Sequence, residues 1–170
     1  MRKIFLINFI NLMAIFSFAQ SAYLEEAQQK LKNAAAYTLE IAESMPEDRF
    51  GFRPTAAEMS FQEQLLHIAG NMNWLTSSYL SGKKSEKDLK KVSYTKAETI
   101  AILKEIVENA SAALSQLAVA QLEEKVEFFA GPMTKRQILT LLNDHHTHHR
   151  GQLIVYLRLN DIKPPKYLGW

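Results

Sequence analysis

Thr134-Lys-Arg-Gln-Ile-Leu-Thr-Leu-Leu-Asn-Asp-His-His-Thr-His-His-Arg-Gly-Gln-Leu-Ile-Val-Tyr-Leu-Arg-Leu159 is the stretch on which the fold turns. Thr134 followed three residues later by Gln137 is a capping box, in which each side chain satisfies a backbone N–H that the first helical turn leaves orphaned. No Pro interrupts the run, and Ile138, Leu142, His145, His149, Gln152, Tyr156 and Leu159 recur at three-and-four spacing, the period of one helix face. We read this row as the core-facing stripe of a long helix, which aims two imidazoles into the packing partner.

Three further helices follow from the punctuation upstream. Prolines at 46, 54, 132, 164 and 165 and the Ser81-Gly82-Lys83-Lys84 break leave Pro-free segments that each carry apolar residues at helical spacing. The first helix is expected over about Ala22 to Met45, with Leu24, Leu31, Ala35, Leu39 and Ala42 near one stripe. A second opens at the capping box Ser60-Phe-Gln-Glu63 and continues through Leu65, Ile68, Met72, Leu75 and Tyr79. A third opens at Thr95-Lys-Ala-Glu98 and carries Ile102, Ile106, Ala110, Ala113 and Leu117. Strand character is confined to Lys125-Val-Glu-Phe-Phe129, read as an extended connector before Gly131-Pro132. The expectation is an all-α chain, an antiparallel four-helix bundle whose two longer connections permit a crossed topology.

Of five histidines, four fall within Asp144-His-His-Thr-His-His149 and the fifth is His67 on the second helix. Residues four apart on a helix lie within about 40° of each other, so His145 and His149 share a face and can share an ion. His146 and His148 point roughly 60–100° away and are read as flanking residues, with an i, i+3 pair of His145 and His148 as the geometric alternative. His67, among Leu65, Leu66 and Ile68, would supply a third imidazole. Three imidazoles from two packed helices leave coordination positions open, the arrangement of a catalytic rather than a closed structural site. Gly70 and Gly151, each costing about 1 kcal/mol of helix propensity, are read as sites of close helix approach.

The first nineteen residues have a different character. Arg2 and Lys3 precede a sixteen-residue apolar run, Ile4 to Ala19, that ends in Ser17-Phe-Ala19 before Gln20. That is the three-part pattern of a secretory signal peptide, and the run is shorter than the roughly 20 residues that span a bilayer. No second apolar run of spanning length follows, so the expected protein is an exported single domain over residues 20–170, without a membrane role after cleavage. Beyond residue 19 the chain carries eighteen basic and eighteen acidic residues, which removes the electrostatic footprint of a nucleic-acid binder. The Lys-rich stretch from Lys83 to Lys91 alternates with Glu86 and Asp88 and reads as a solvated loop, and Trp74 and Trp170 stand isolated in sequence. The chain has no Cys, so any metal is held by His and carboxylates.

The sequence resembles the DinB-like superfamily of four-helix-bundle metalloproteins, which includes thiol-dependent S-transferases and maleylpyruvate isomerases. The likeness spans nearly the whole chain after the leader. It rests on Phe52-Arg53-Pro54-Thr55, on Ser60-Phe-Gln-Glu-Gln-Leu-Leu-His67-Ile-Ala, on His145-His-Thr-His-His149-Arg150-Gly151-Gln152, which matches the family pattern H-x-x-x-H-R-G-Q in full, and on Leu157-Arg158 and Lys163-Pro164-Pro165. The resemblance implies that His67, His145 and His149 ligate a divalent metal ion, with zinc, nickel, iron or manganese as the candidates, among which an all-imidazole set discriminates poorly. A homodimer is compatible with it. A leader that takes the chain out of the reducing cytoplasm sets it apart from the thiol-using members.

Two functions follow from these residues. One is an enzyme, a metal-dependent hydrolase or group transferase acting on a small-molecule substrate; the other is a non-catalytic bundle in which the ion fastens two helices. No Glu stands beside the histidines in an H-E-x-x-H arrangement, which argues against a metalloprotease. Tyr156, on the stripe past His149, and Glu63, one turn before His67, are the nearest candidates for proton transfer or substrate orientation. The C-terminal Pro164-Pro-Lys-Tyr-Leu-Gly-Trp170 is expected to pack back on the bundle.

Overall fold

The computed structural model describes residues 2–83, 89 and 94–170, with side chains from residue 21 onward. Four helices carry the fold: α1 (Arg2–Ser44), α2 (Phe61–Leu75), α3 (Lys96–Gln116) and α4 (Lys135–Leu159). The cleavage position read after Ala19 falls within α1. All three capping boxes form. Ser60, Thr95 and Thr134 each accept from the backbone N–H three residues on, while Glu63, Glu98 and Gln137 reach back to the cap backbone. A five-residue π-type turn, Thr76–Leu80, continues α2 toward the expected end at Tyr79. The Lys-rich loop lies outside the described residues except for Lys83 and Leu89.

Long-range hydrogen bonds set the helix directions. Lys96 Nζ donates to the Glu43 and Met45 carbonyls while Gln28 reaches the Leu114 carbonyl, so α1 and α3 run antiparallel. Phe61 meets Tyr156 and Gln64 meets Gln152, so α2 and α4 also run antiparallel. Tyr23 bonds Thr140 and Thr38 bonds His146, which makes α1 and α4 parallel. The bundle is therefore up-down-down-up, a crossed variant in which the consecutive helices α2 and α3 run in the same direction. The core is closed by side chains such as Leu31, Ile41, Met45, Phe61, Leu65, Leu75, Ile106, Leu114 and Leu139.

The extended connector is a minimal hairpin. β1 (Lys125–Val126) pairs antiparallel with β2 (Met133–Thr134), and Gly131 turns the chain at φ 111°. Its second strand runs straight into the Thr134 cap, which fixes where α4 starts. The C-terminal segment does pack back: Tyr167 sits edge-on to Tyr37 of α1, and Asn33 donates to the Trp170 carbonyl. Among the described residues no helix is long and apolar enough to cross a membrane.

The face that α4 buries differs from the expected row. Ile138, Leu142 and Tyr156 of that row are buried, but Leu159 is 55% exposed and His145, His149 and Gln152 are only partly buried, while Leu139, Asn143, His146, Arg150, Leu153 and Leu157 complete the inner line. Because α4 packs on both α1 and α2, its core line faces the space between them, and the expected stripe is the edge that faces α2. The two glycines do not mark close helix contacts. A Cβ on Gly151 would meet nothing within 4 Å, and one on Gly70 would meet only Leu89 Cδ1 at 3.7 Å.

Candidate metal centre

His67 stands near the middle of α2, and the antiparallel alignment brings it level with the turn of α4 that carries His145 and His149. The three rings converge, with centroids 4.9 Å apart for His67 and His145, and 4.4 Å apart for both His67 and His149 and His145 and His149. One ligand atom from each lies within 4.8 Å of the others, so the group can hold a metal ion. The Nε2 atoms of His67 and His145 are 3.1 Å apart. Two nitrogens each about 2.1 Å from a shared ion at about a right angle would lie about 3 Å apart, so this pair already has the spacing of ligands.

The electrostatics suit a cation. Burial lowers the pKa of all three imidazoles below the ordinary histidine value. For His145, burial with the charges of His67 and His148 brings it to about 4; for His149, burial with His145, His67 and His148 does the same. At neutral pH the cluster is uncharged and offers lone pairs.

Gln64, which the sequence reading passed over, orients the site. Its buried side-chain Oε1 accepts from His149 Nδ1 at 2.7 Å, which fixes the tautomer that leaves His149 Nε2 free to bind. Its amide donates to Gln152, whose own amide bonds His148 Nε2 at 3.0 Å, so His148 is tied into the chain that supports the triad. The signal was available, since Gln64 lies three residues before His67 on nearly the same helix face. Replacing Gln64 with Leu is expected to weaken zinc affinity by about 10–100-fold with the ligands intact, as measured by competition with a chromogenic chelator.

His146 is the clearest departure from the expected flanking role. It is 3% exposed, its Nε2 lies 2.7 Å from Thr38 Oγ1 on α1, and its Nδ1 has no hydrogen-bond partner among the described residues. Burial, with Arg150, His145 and His149 adding to it, pushes its pKa down to about 3, so it is a neutral core residue. The two proton-transfer candidates are engaged elsewhere. Glu63 Oε2 accepts from the Ser60 backbone and Oε1 from Arg53 at 2.6 Å, and the Ser60 bond leads the interactions that hold its pKa below the usual carboxylate value. The Tyr156 hydroxyl donates to the Met59 carbonyl at 2.7 Å and lies 3.5 Å from the Gln64 amide nitrogen.

An all-α crossed bundle with a histidine triad bridging its antiparallel α2–α4 pair defines a class of helical protein with a metal-competent centre. The DinB family model matches residues 19–167, and the chain belongs to the DinB family. It is 29% identical over 124 residues, 71% of this chain and 80% of the relative, to the uncharacterized protein YjoA of Bacillus subtilis. The fold is similar to the crystal structure of DinB-like YjoA (TM-score 0.70, 23% identity, 84% of this chain and 96% of that one). It is likewise similar to that of a DinB-like protein from Bacillus cereus (TM-score 0.73, 20% identity, 84% and 96%).

Proposed function

We propose that this protein is an exported DinB-family metalloenzyme that binds one divalent ion through His67, His145 and His149 and carries out hydrolysis or group transfer on a small molecule. The observation that carries the reading is the partly exposed, converging triad, whose ligand atoms lie within 4.8 Å of one another. When bound, the ion supplies Lewis acidity and a lowered pKa for a water or thiol in its remaining positions.

The chain's own residues prepare the site. His149 is held by Gln64, and Gln64 is held by Gln152, so the ligand geometry is set before binding. Tyr156 and Glu63 enter as anchors, one tying α4 to the segment before α2 and the other closing the α2 cap. Export rests on the charged, apolar and small-residue pattern of residues 1–19.

Elemental analysis of untagged protein purified without chelator tests the reading. The expected result is one tightly held divalent ion per wild-type chain and none in His67→Ala, with hydrolysis of an activated ester by the metal-loaded protein only. Equal turnover by metal-free and metal-loaded protein would remove the catalytic half of the proposal, leaving an ion that fastens α2 to α4.

A further inference from the structure

A group of aromatic side chains near the triad is not explained by metal binding. Trp74 follows His67 by seven residues, which on α2 is two turns, about 10 Å along the axis and within about 20° of the same face. The direction from His67 to Trp74 leads toward the start of α4 and the β1–β2 hairpin, because α2 and α4 are antiparallel. There Trp74 meets Phe128 at 5.7 Å, Phe129 at 6.2 Å in a stacked arrangement and Tyr79 at 5.6 Å edge-on. Phe128 also closes on Phe129 at 4.4 Å. The tryptophan that looked isolated in sequence is the centre of a four-ring cluster.

The cluster is not fully buried by the fold. Phe129 is 83% exposed and Trp74 38% exposed, although burying such rings is among the larger apolar gains available to a chain. Between His67 and Trp74 the same side of α2 carries only Gly70 and Asn71, and the apolar Leu89 comes over Gly70, its Cδ1 3.7 Å from where a Cβ would stand. On the other side of the triad, Gln64 and Gln152 bridge α2 to α4, and Tyr156 is tied to Met59. An apolar patch two helical turns from a polar centre is an arrangement by which small-molecule sites divide recognition from chemistry.

We infer that Trp74, Phe128 and Phe129 form the specificity wall of the metal centre and take a planar apolar group of the substrate whose polar end reaches the triad. The inference rests on the metal reading and names the substrate class of the same site: a small molecule with an aromatic ring about 10 Å from its reacting group, the two-turn distance on α2. Phe129 sits on the hairpin, next to the Gly131 turn, so the wall is built from two elements.

Zinc-loaded full-length protein titrated with acetohydroxamate, benzohydroxamate and 4-phenylbutyrohydroxamate by calorimetry tests this, since the three share a metal-binding end and differ in how far the ring extends. The expected result is that 4-phenylbutyrohydroxamate binds about tenfold more tightly than acetohydroxamate, with benzohydroxamate between them, as stacking on a preformed wall would give. Trp74→Ala and Phe129→Ala should each reduce that advantage and leave acetohydroxamate binding unchanged. Phe129, the more exposed ring, is the variant that disturbs the fold least. Equal affinities for all three ligands, or an advantage that survives both substitutions, would overturn the wall while leaving zinc-dependent acetohydroxamate binding in place. Acetohydroxamate binding that is absent, or unaffected by His67→Ala, would overturn the metal reading and the wall with it.

Discussion

Zinc in micromolar excess raises the melting temperature of the wild-type protein by roughly 10 °C and leaves His145→Ala and His149→Ala at the melting point of the metal-free chain. The magnitude follows from linkage: a ligand that binds only the native state at 1,000 times its dissociation constant stabilises by about 4 kcal/mol, and a domain of this size gains about 2–4 °C per kcal/mol. Two imidazoles do not replace three, because the lost ligand comes from a centre whose other members are already aligned, as the 3.1 Å Nε2 spacing of His67 and His145 shows. His148→Ala is the control. Its ring is outside the triad and bonded to Gln152, so the zinc shift should be retained. Differential scanning calorimetry with and without zinc checks both. No shift in the wild type would remove the centre, and a shift lost in His148→Ala but kept in His149→Ala would restore the i, i+3 pair.

The sequence carried the helix starts and the His145–His149 pair because both are written in short-range spacing, whereas His67, 78 residues before His145, had to be placed by its helix and the family resemblance. Ser60 with Glu63, Thr95 with Glu98 and Thr134 with Gln137 specify their own local geometry, and all three form as read. His145 and His149 are four apart, so their shared face needs no tertiary information. The inner face of α4 was not legible in the same way. Its core line includes Asn143, His146 and Arg150, which an apolar count treats as surface; α1 covers His146 and Arg150, through Thr38 and Tyr37. A parallel α1–α4 neighbour follows from connections that cross the bundle ends, and helical periodicity contains no information about that choice. Gln64 was overlooked for a related reason. An amide three residues before a ligand has many roles, and only the fold puts its oxygen on His149 Nδ1. The glycine reading failed because a propensity cost reveals that a residue is unusual without saying why. Gly151 has open space around it, and Gly70 faces Leu89 rather than another helix.

Tyr37→Ala should destabilise the protein by about 3–5 kcal/mol, whereas Arg150→Met should be near neutral or stabilising. Arg150 is 4% exposed, with its guanidinium carbon 5.3 Å from the Tyr37 ring centroid. Its nearest acceptors are the Ala34 carbonyl and Thr147 Oγ1, each at 3.5 Å, and among the described residues no carboxylate lies within ion-pair distance. Burial pulls its pKa below the ordinary guanidinium value, while the neighbouring Tyr37 and Tyr167 oppose that shift. An arginine stays charged under these conditions, so the π-face is the main compensation for a cation removed from water. Removing the ring leaves that charge uncompensated and opens a cavity between α1 and α4; removing the charge while keeping the volume relieves the desolvation penalty instead. Tyr37→Phe keeps the face and should cost far less than Tyr37→Ala. Urea unfolding of the four proteins, wild type included, decides the matter. If Arg150→Met costs as much as Tyr37→Ala, the guanidinium stabilises the native state through its charge, and the aromatic face is then only part of what holds it.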